Sequence, residues 1–354
     1  MKKIILRILA TTIIFSMTIL CIYCYINTKP ISNKSEEVVF KIKEGSSMKD
    51  ISLILKKEGL IRSDKFFLIY TKVHNIRDIK AGNYEINKTN SLKKIVKILR
   101  KGSNAKNEVT ITFPEGKTMR KVAKIIEDNT TNSYDDVFNL LKDKEYLNEI
   151  INKYWFLDSI ILDENIYYPL EGYLAPDTYI FETNATVKDI FEKMLDQTDV
   201  ILTKNKDNID KGNYTVHQII TLASMVESEG VNLADRKKIA GVFINRLTNS
   251  MSLGSDVTTY YAQKIELGER DLYLSEITDD NPYNTRSTAN IGKLPVGPIC
   301  NPSSEAIDAV INYTPSDNLF FVADKNMKVY FSKTESEHNK IVKELKEKGL
   351  WFEY

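Results

Sequence analysis

Cysteine, histidine and net charge are scarce in this 354-residue chain, and each scarcity removes a class of function. Of the three cysteines, Cys21 and Cys24 fall inside one apolar run, which leaves Cys300 without a partner for an internal disulfide. The remainder must fold on core burial, which about 325 residues can support. The three histidines, His74, His217 and His338, are far apart and form no ligand-spaced cluster, so neither a metal nor a cofactor is expected. Against 49 basic residues stand 48 acidic ones, and the net +1 gives no electrostatic footing for nucleic acid.

Charge is also missing locally. Residues 8–26, ILATTIIFSMTILCIYCYI, carry none, and Lys2, Lys3 and Arg7 precede them. Nineteen residues at ~1.5 Å each reach about 28 Å, close to the thickness of a bilayer core. A cleaved signal peptide is the rival reading, but the run is longer than a typical apolar region of that kind and no small-x-small site follows it. The expectation is an uncleaved anchor over residues 1–28. The positive-inside bias puts the N-terminus in the cytoplasm and the bulk outside the cell membrane, a single-pass topology. Lys29 and Lys34 weigh little against this, because long domains cross largely regardless of charge.

What is present is a repeat. VFKIKEGSSMKDISLIL (39–55) aligns with TITFPEGKTMRKVAKII (110–126) at a constant offset of 71. Glu44-Gly45 falls on Glu115-Gly116 and Met48 on Met119. Each copy reads as a small β-α unit of strand, Glu-Gly turn and helix, and Ser47 with Asp50 has the spacing of a capping box. The alternative is chance similarity of two amphipathic segments. The first unit continues through a strand in IKAGNYEI (79–86) and a helix at 91–102. GSNAKN (102–107) reads as a linker. Further on, 133–141 and 186–195 read as capped helices, 203–213 as a solvated loop, 319–332 as a hairpin turning at Asp324–Asn326, and 334–349 as a helix. Strands and helices in this irregular order predict an α+β fold: an anchor (1–28), a small βα module (38–102) and a larger mixed domain (108–354).

TLASMVESEG (221–230) carries the chemistry. Thr215 and Gln218 form a capping box that starts a helix. Val216, Ile220 and Ala223 recur at helical spacing, which places Glu227 on the apolar stripe and Glu229 further around. A carboxyl group on such a stripe favours its neutral form, as a general acid requires. The plainer alternative is that the helix ends there and Glu227 reaches water or pairs with Arg236 or Lys237. Polar residues also bunch with turn-formers at 169–182 (Glu171, Asp177), 243–247 (Asn245, Arg246), 254–261 (Asp256, Tyr261) and 281–302 (Asn284). Aromatic rings beside amides and carboxylates are what a sugar site needs.

In their order and spacing, EGYLAPDTY (171–179), LASMVESE (222–229), VFINRL (242–247), SDVTTYY (255–261), YNT (283–285), LPVGPICNP (294–302) and FFVAD…FSKTESEHNK (320–340) resemble the endolytic murein transglycosylases (MltG/YceG-like), over residues 38–354. Ala175 stands where that family usually has Phe, and Val257 where it usually has Pro. The resemblance implies a membrane-anchored enzyme that cuts peptidoglycan glycan strands at the MurNAc-GlcNAc β-1,4 bond, leaves a 1,6-anhydroMurNAc end and terminates nascent strands. It implies proteins of cell-wall synthesis as partners and a LysM-like module before the catalytic domain. The catalytic glutamate of the family falls on Glu227. Glu171, Asp177, Asn245, Arg246, Asp256, Tyr261 and Asn284 are then the expected substrate-binding residues. Two rivals remain: a hydrolase pairing Glu227 with Asp177 or Asp256, and a non-catalytic glycan-binding scaffold.

Overall fold

Alternating burial builds the first sheet. The computed structural model describes residues 2–103, 108–230 and 232–351, with the backbone alone for residues 2–10 and 13. By its contacts the chain divides into two units, Met1–Glu108 and Val109–Tyr354. In the first, α1 (Lys2–Thr28) is followed by β1 (Glu37–Ile42), α2 (Met48–Lys57), α3 (Asp64–Val73), β2 (Gly82–Asn87) and α4 (Leu92–Lys101). The strands β1 and β2 pair antiparallel from Glu37↔Asn87 to Ile42↔Gly82. Phe40 and Ile42 point inward from β1, and Tyr84 and Ile86 from β2, onto Leu55, Phe67, Ile95 and Leu99 of the helices. This is a core in its own right.

Large apolar side chains on α1, including Ile14, Phe15, Leu20 and Ile22, are exposed. Arg62 donates to the carbonyls of Ile26 (3.1 Å) and Lys29 (2.7 Å), which satisfies acceptors where α1 ends. Among the described residues no helix is long and apolar enough to cross a membrane.

The second unit begins with β3 (Glu108–Thr112), α5 (Met119–Asn129), α6 (Tyr134–Lys142), α7 (Lys144–Lys153), β4 (Thr178–Glu182) and α8 (Val187–Thr203). It continues through α9 (Lys206–Lys211), α10 (Val216–Glu229), α11 (Leu233–Thr248), α12 (Asp256–Ala262), α13 (Leu274–Ile277) and α14 (Ser304–Ile311), and ends with β5 (Phe320–Ala323), β6 (Val329–Ser332) and α15 (Glu335–Glu347). The fold is mixed α and β, and among the described residues the strands form three two-stranded sheets, β1-β2, β3-β4 and β5-β6.

The local signals are visible at the expected places. Capping boxes stand at Ser47–Asp50, Ser133–Asp136, Thr186–Asp189, Thr215–Gln218 and Thr334–Glu337. The hairpin β5-β6 pairs Phe320↔Ser332 and Ala323↔Val329. Both Glu-Gly turns put glycine in the left-handed region, Gly45 at φ 77° and Gly116 at φ 69°.

Three expectations need correction. The solvated loop at 203–213 contains α9, because Ile209 is buried and anchors a turn of helix there. The second copy of the repeat is not a small unit of its own, since its strand β3 pairs with β4, far along the chain. And α10 is not amphipathic: Ile219 to Val226 are all buried, because α11 and α14 pack against it. A helix apolar all round lies inside the fold. Of the linker at 102–107, residues 104–107 lie outside the described residues.

Candidate active site

Glu227 sits in the last turn of α10, where the buried helix emerges. The helix stops at Gly230, whose N–H donates to the Val226 carbonyl. One carboxylate oxygen of Glu227, Oε1, accepts from Arg236 Nη2 at 2.8 Å. The other, Oε2, accepts from the Ser303 backbone N–H at 3.0 Å and from the Ser303 hydroxyl. Ser303 is the N-cap of α14, so the carboxylate also faces a helix N-terminus. Of the two basic partners open to Glu227, the fold selects Arg236; Lys237 pairs with Asp308 at 3.0 Å. The expectation of a carboxyl group alone on an apolar stripe is thereby corrected. Every contact named on Glu227 comes from a donor, so the geometry fixes the direction of both oxygens.

The Glu-Gly turn of the second repeat stands over this residue. A Cβ on Gly116 would lie 3.6 Å from Glu227 Cγ. The turn is held by Gly116 N–H to the Asn301 carbonyl (2.9 Å) and by the bridge Lys117↔Asn301. It brings in a second carboxyl group, Glu115. Loss of solvent pushes Glu115 above its ordinary value, and the charge of Glu227 adds to that rise while Arg236 opposes it.

Asn301 joins the pieces. Its Oδ1 accepts from Gly172 and Leu174 N–H, both at 3.0 Å, and its Nδ2 donates to the Lys117 carbonyl at 3.0 Å. At Gly172, φ is 86° and a Cβ would come within 2.4 Å of Pro298, so only glycine lets the 171–174 loop lie against the 298–301 segment. The segments EGYL, PEGK and GPICNP therefore meet at Asn301 alongside α10. Neither Asn301 nor Ser303 and Arg236 was singled out from sequence, except that Arg236 was open as a partner.

The expected substrate-binding residues separate into two groups. Glu171 is 1% exposed and cannot meet a substrate. Both of its oxygens accept from Met119 N–H, at 2.8 and 2.9 Å, which satisfies the start of α5, and Tyr261 donates to it at 3.0 Å. Burial pushes its carboxyl group up to about 8. Tyr261 is buried with it, and Asn284 is fully buried, its amide committed to the Ile277 and Asp279 carbonyls. Asn245 gives both amide hydrogens to the Ser316 and Asn318 carbonyls, and Arg246 ties Leu319 (2.6 Å) and Leu253 (2.8 Å). These five brace loops. Amides and hydroxyls look alike in sequence whether they bind sugar or backbone; burial separates the two for Glu171, Tyr261 and Asn284, and their backbone partners do so for the half-buried Asn245 and Arg246. Asp177 and Asp256 are exposed; Asp177 accepts from Thr178 N–H at 2.7 Å and Asp256 is paired with Arg286.

Glu229, the last residue of α10, has its own partner. Ser255 donates to it at 2.7 Å, and burial pushes its carboxyl group up. It faces the α12 end of the fold, whereas Glu227 faces α14.

Comparison with known proteins follows this geometry. Residues 40–344 match the model of the YceG-like family. The chain is 35% identical over 332 residues to a Streptococcus pneumoniae (serotype 2, strain D39) protein named endolytic murein transglycosylase, covering 88% of this chain and 59% of that one. It thus spans about three-fifths of that relative's length. A Bacillus subtilis (strain 168) protein of the same name is 36% identical over 317 residues, covering 88% of this chain and 86% of the relative. The crystal structure of a yceG-like protein from Listeria monocytogenes superimposes with a TM-score of 0.61 at 35% identity, over 87% of this chain and 100% of that one.

Proposed function

The chain belongs to the YceG-like family, and from that premise we propose that it is an endolytic lytic transglycosylase of peptidoglycan with Glu227 as its catalytic acid and base. Glu227 protonates the oxygen of the MurNAc-GlcNAc β-1,4 bond as that bond breaks. The C6 hydroxyl of the same MurNAc attacks C1, and its proton passes to Glu227. The products are a 1,6-anhydroMurNAc end and a free GlcNAc hydroxyl, and the carboxyl group is restored. No enzymic nucleophile is needed, because the tethered C6 hydroxyl takes the place of a bound water. The observation that carries this reading is the placement of Glu227. It is fixed through both oxygens at the exit of a buried helix, under the Glu115-Gly116 turn. Digestion of glycan strands by the purified chain, with mass spectrometry of the ends, is the test. Reducing ends in place of anhydro ends would mean a hydrolase, and intact strands a scaffold.

Two further parts belong to this reading. Residues 1–28 anchor the chain in the cell membrane with the remainder outside, terminating nascent strands beside proteins of cell-wall synthesis. The support is the uncharged run 8–26 and the exposed apolar side chains on α1. Residues 38–102 act as a LysM-like, glycan-binding module, and residues 108–354 as the catalytic domain. The separate core of β1, β2 and α2–α4 supports the module.

A further inference from the structure

Gly230 is a glycine without a conformational reason to be one. Its φ is −103° and ψ 135°, open to any residue. The reason lies in its surroundings: a Cβ there would come within 2.5 Å of Arg236 Cγ, 3.1 Å of the Val226 carbonyl oxygen and 3.3 Å of Arg236 Cα. The stem of Arg236 crosses the space that a side chain at 230 would fill. Nε donates to the Gly230 carbonyl at 3.3 Å, and the guanidinium then reaches past the end of α10 to Glu227. Nη1 is shared between Ser303 Oγ (3.2 Å) and Glu305 Oε2 (3.4 Å). Side-chain exposure is 9% for Arg236 and 7% for Glu227, so the pair is held away from water. Ser303 closes the ring, since the hydroxyl that receives Nη1 itself donates to Glu227.

We propose that Arg236 is the positioning residue of Glu227, and that Gly230 is the slot that admits it. The planar fork fixes the direction of the carboxylate through Oε1, while Ser303 fixes Oε2. Arg236 also supplies a cation among three carboxyl groups: Glu227 on α10, Glu115 on the turn after β3 and Glu305 on α14. Lys117 shares the turn with Glu115. The proposal rests on Glu227 being the working carboxyl group, and the experiment is chosen so that the two ideas fail separately.

The full chain in detergent is compared with Arg236→Gln, Arg236→Lys and Gly230→Ala. Anhydro-end formation gives kcat and KM across pH, and 13C-carboxyl NMR follows the titration of Glu227 without reference to activity. Arg236→Gln is expected to lower kcat by about 10²-fold, the scale of a misplaced reacting group, with KM within about threefold. Removing a neighbouring cation favours the neutral acid, so the Glu227 titration midpoint and the alkaline limb of activity both move to higher pH. Arg236→Lys keeps the charge without the fork: the midpoint stays and kcat falls by about tenfold. Gly230→Ala, with nothing to strain in φ and ψ, follows Arg236→Gln in kcat because the stem is displaced.

An unmoved Glu227 midpoint in folded Arg236→Gln overturns the proposal, whatever the activity. If Arg236→Gln does not fold, parental kcat in Arg236→Lys or Gly230→Ala overturns it instead. If the parent makes no anhydro ends, the functional reading falls, and the NMR midpoint still decides the role of Arg236.

Discussion

Glu171 shows how far burial can carry a single residue from its apparent role. Burial pushes its carboxyl group up to about 8 from an ordinary value of about 4.5. Between those values the folded chain holds a proton that the unfolded chain has lost. The folded state then binds more protons, so this group's contribution makes stability fall as pH rises from about 4.5 to about 8, and adds no further slope above. The substitution Glu171→Gln removes that slope while keeping an acceptor for Met119 N–H. The stability of the variant relative to the parent, followed by melting across pH, should therefore rise steadily over this window, by a difference on the order of a few kcal/mol at pH 8. A constant offset across pH would mean that Glu171 is ionised throughout.

At Glu227 the tertiary structure reverses an expectation about stability. On an apolar stripe an amide would be easier to bury than a carboxylate, and Glu227→Gln would fold at least as well as the parent. Paired with Arg236, which is itself almost enclosed, the carboxylate is the counter-ion of a buried cation. Its loss leaves Arg236 with Glu305, a partner that is 60% exposed. Glu227→Gln should therefore cost about 1–3 kcal/mol of stability, since the amide oxygen can still accept one hydrogen bond. Anhydro-end formation should fall by about 10²–10⁴-fold, toward the upper end because one residue serves both steps. Thermal melting and product analysis on the same sample separate the two losses.

At the scale of elements, the two copies of the repeat solve the same problem differently. Both end a strand, turn at Glu-Gly and start a helix. In the first, Ser47 caps α2 by itself, with Asp50 returning a bond to the Ser47 N–H at 2.9 Å. In the second, Thr118 occupies the N-cap but makes no capping bond, and its hydroxyl is buried without a partner. The distant Glu171 carboxyl group satisfies the start of α5 instead. Ser47→Ala should thus cost about 1 kcal/mol of the first unit's stability. Thr118→Val, which keeps the shape and removes an unpaired hydroxyl, should be neutral or stabilising within about 0.5 kcal/mol. Denaturant titrations of the two variants give the comparison; equal losses would show that Thr118 caps after all.

For the whole molecule, the division at Glu108 and Val109 carries a prediction about folding. The strand β3 pairs with β4, inside the second unit, so a chain that begins at residue 108 keeps its sheet. That chain should melt cooperatively at close to the temperature of its counterpart transition in the full protein. Loss of a cooperative transition on truncation would show that the two cores depend on each other. For the full chain, a reporter active only outside the cell, fused after Tyr354, should be active; a C-terminus protected from protease in spheroplasts would reverse the topology.

What the sequence determined by itself was local. Capping boxes, the hairpin turn and the Glu-Gly repeat depend on bonds between residues two to four apart, and so were legible without a fold. The position of Glu227 near the end of a long apolar helix was legible too, because a carboxylate there is conspicuous. The tertiary structure alone decided what surrounds it. Arg236 reaches Glu227 across a glycine, Ser303 comes from the start of α14, and Asn301 ties together loops from residues 117 and 171–174. The same distance explains why Glu171, Tyr261 and Asn284 were assigned to substrate. A polar side chain in a turn-rich segment binds whatever the fold brings to it, and here that is backbone and one another, because burial leaves no other partner for their hydrogen bonds.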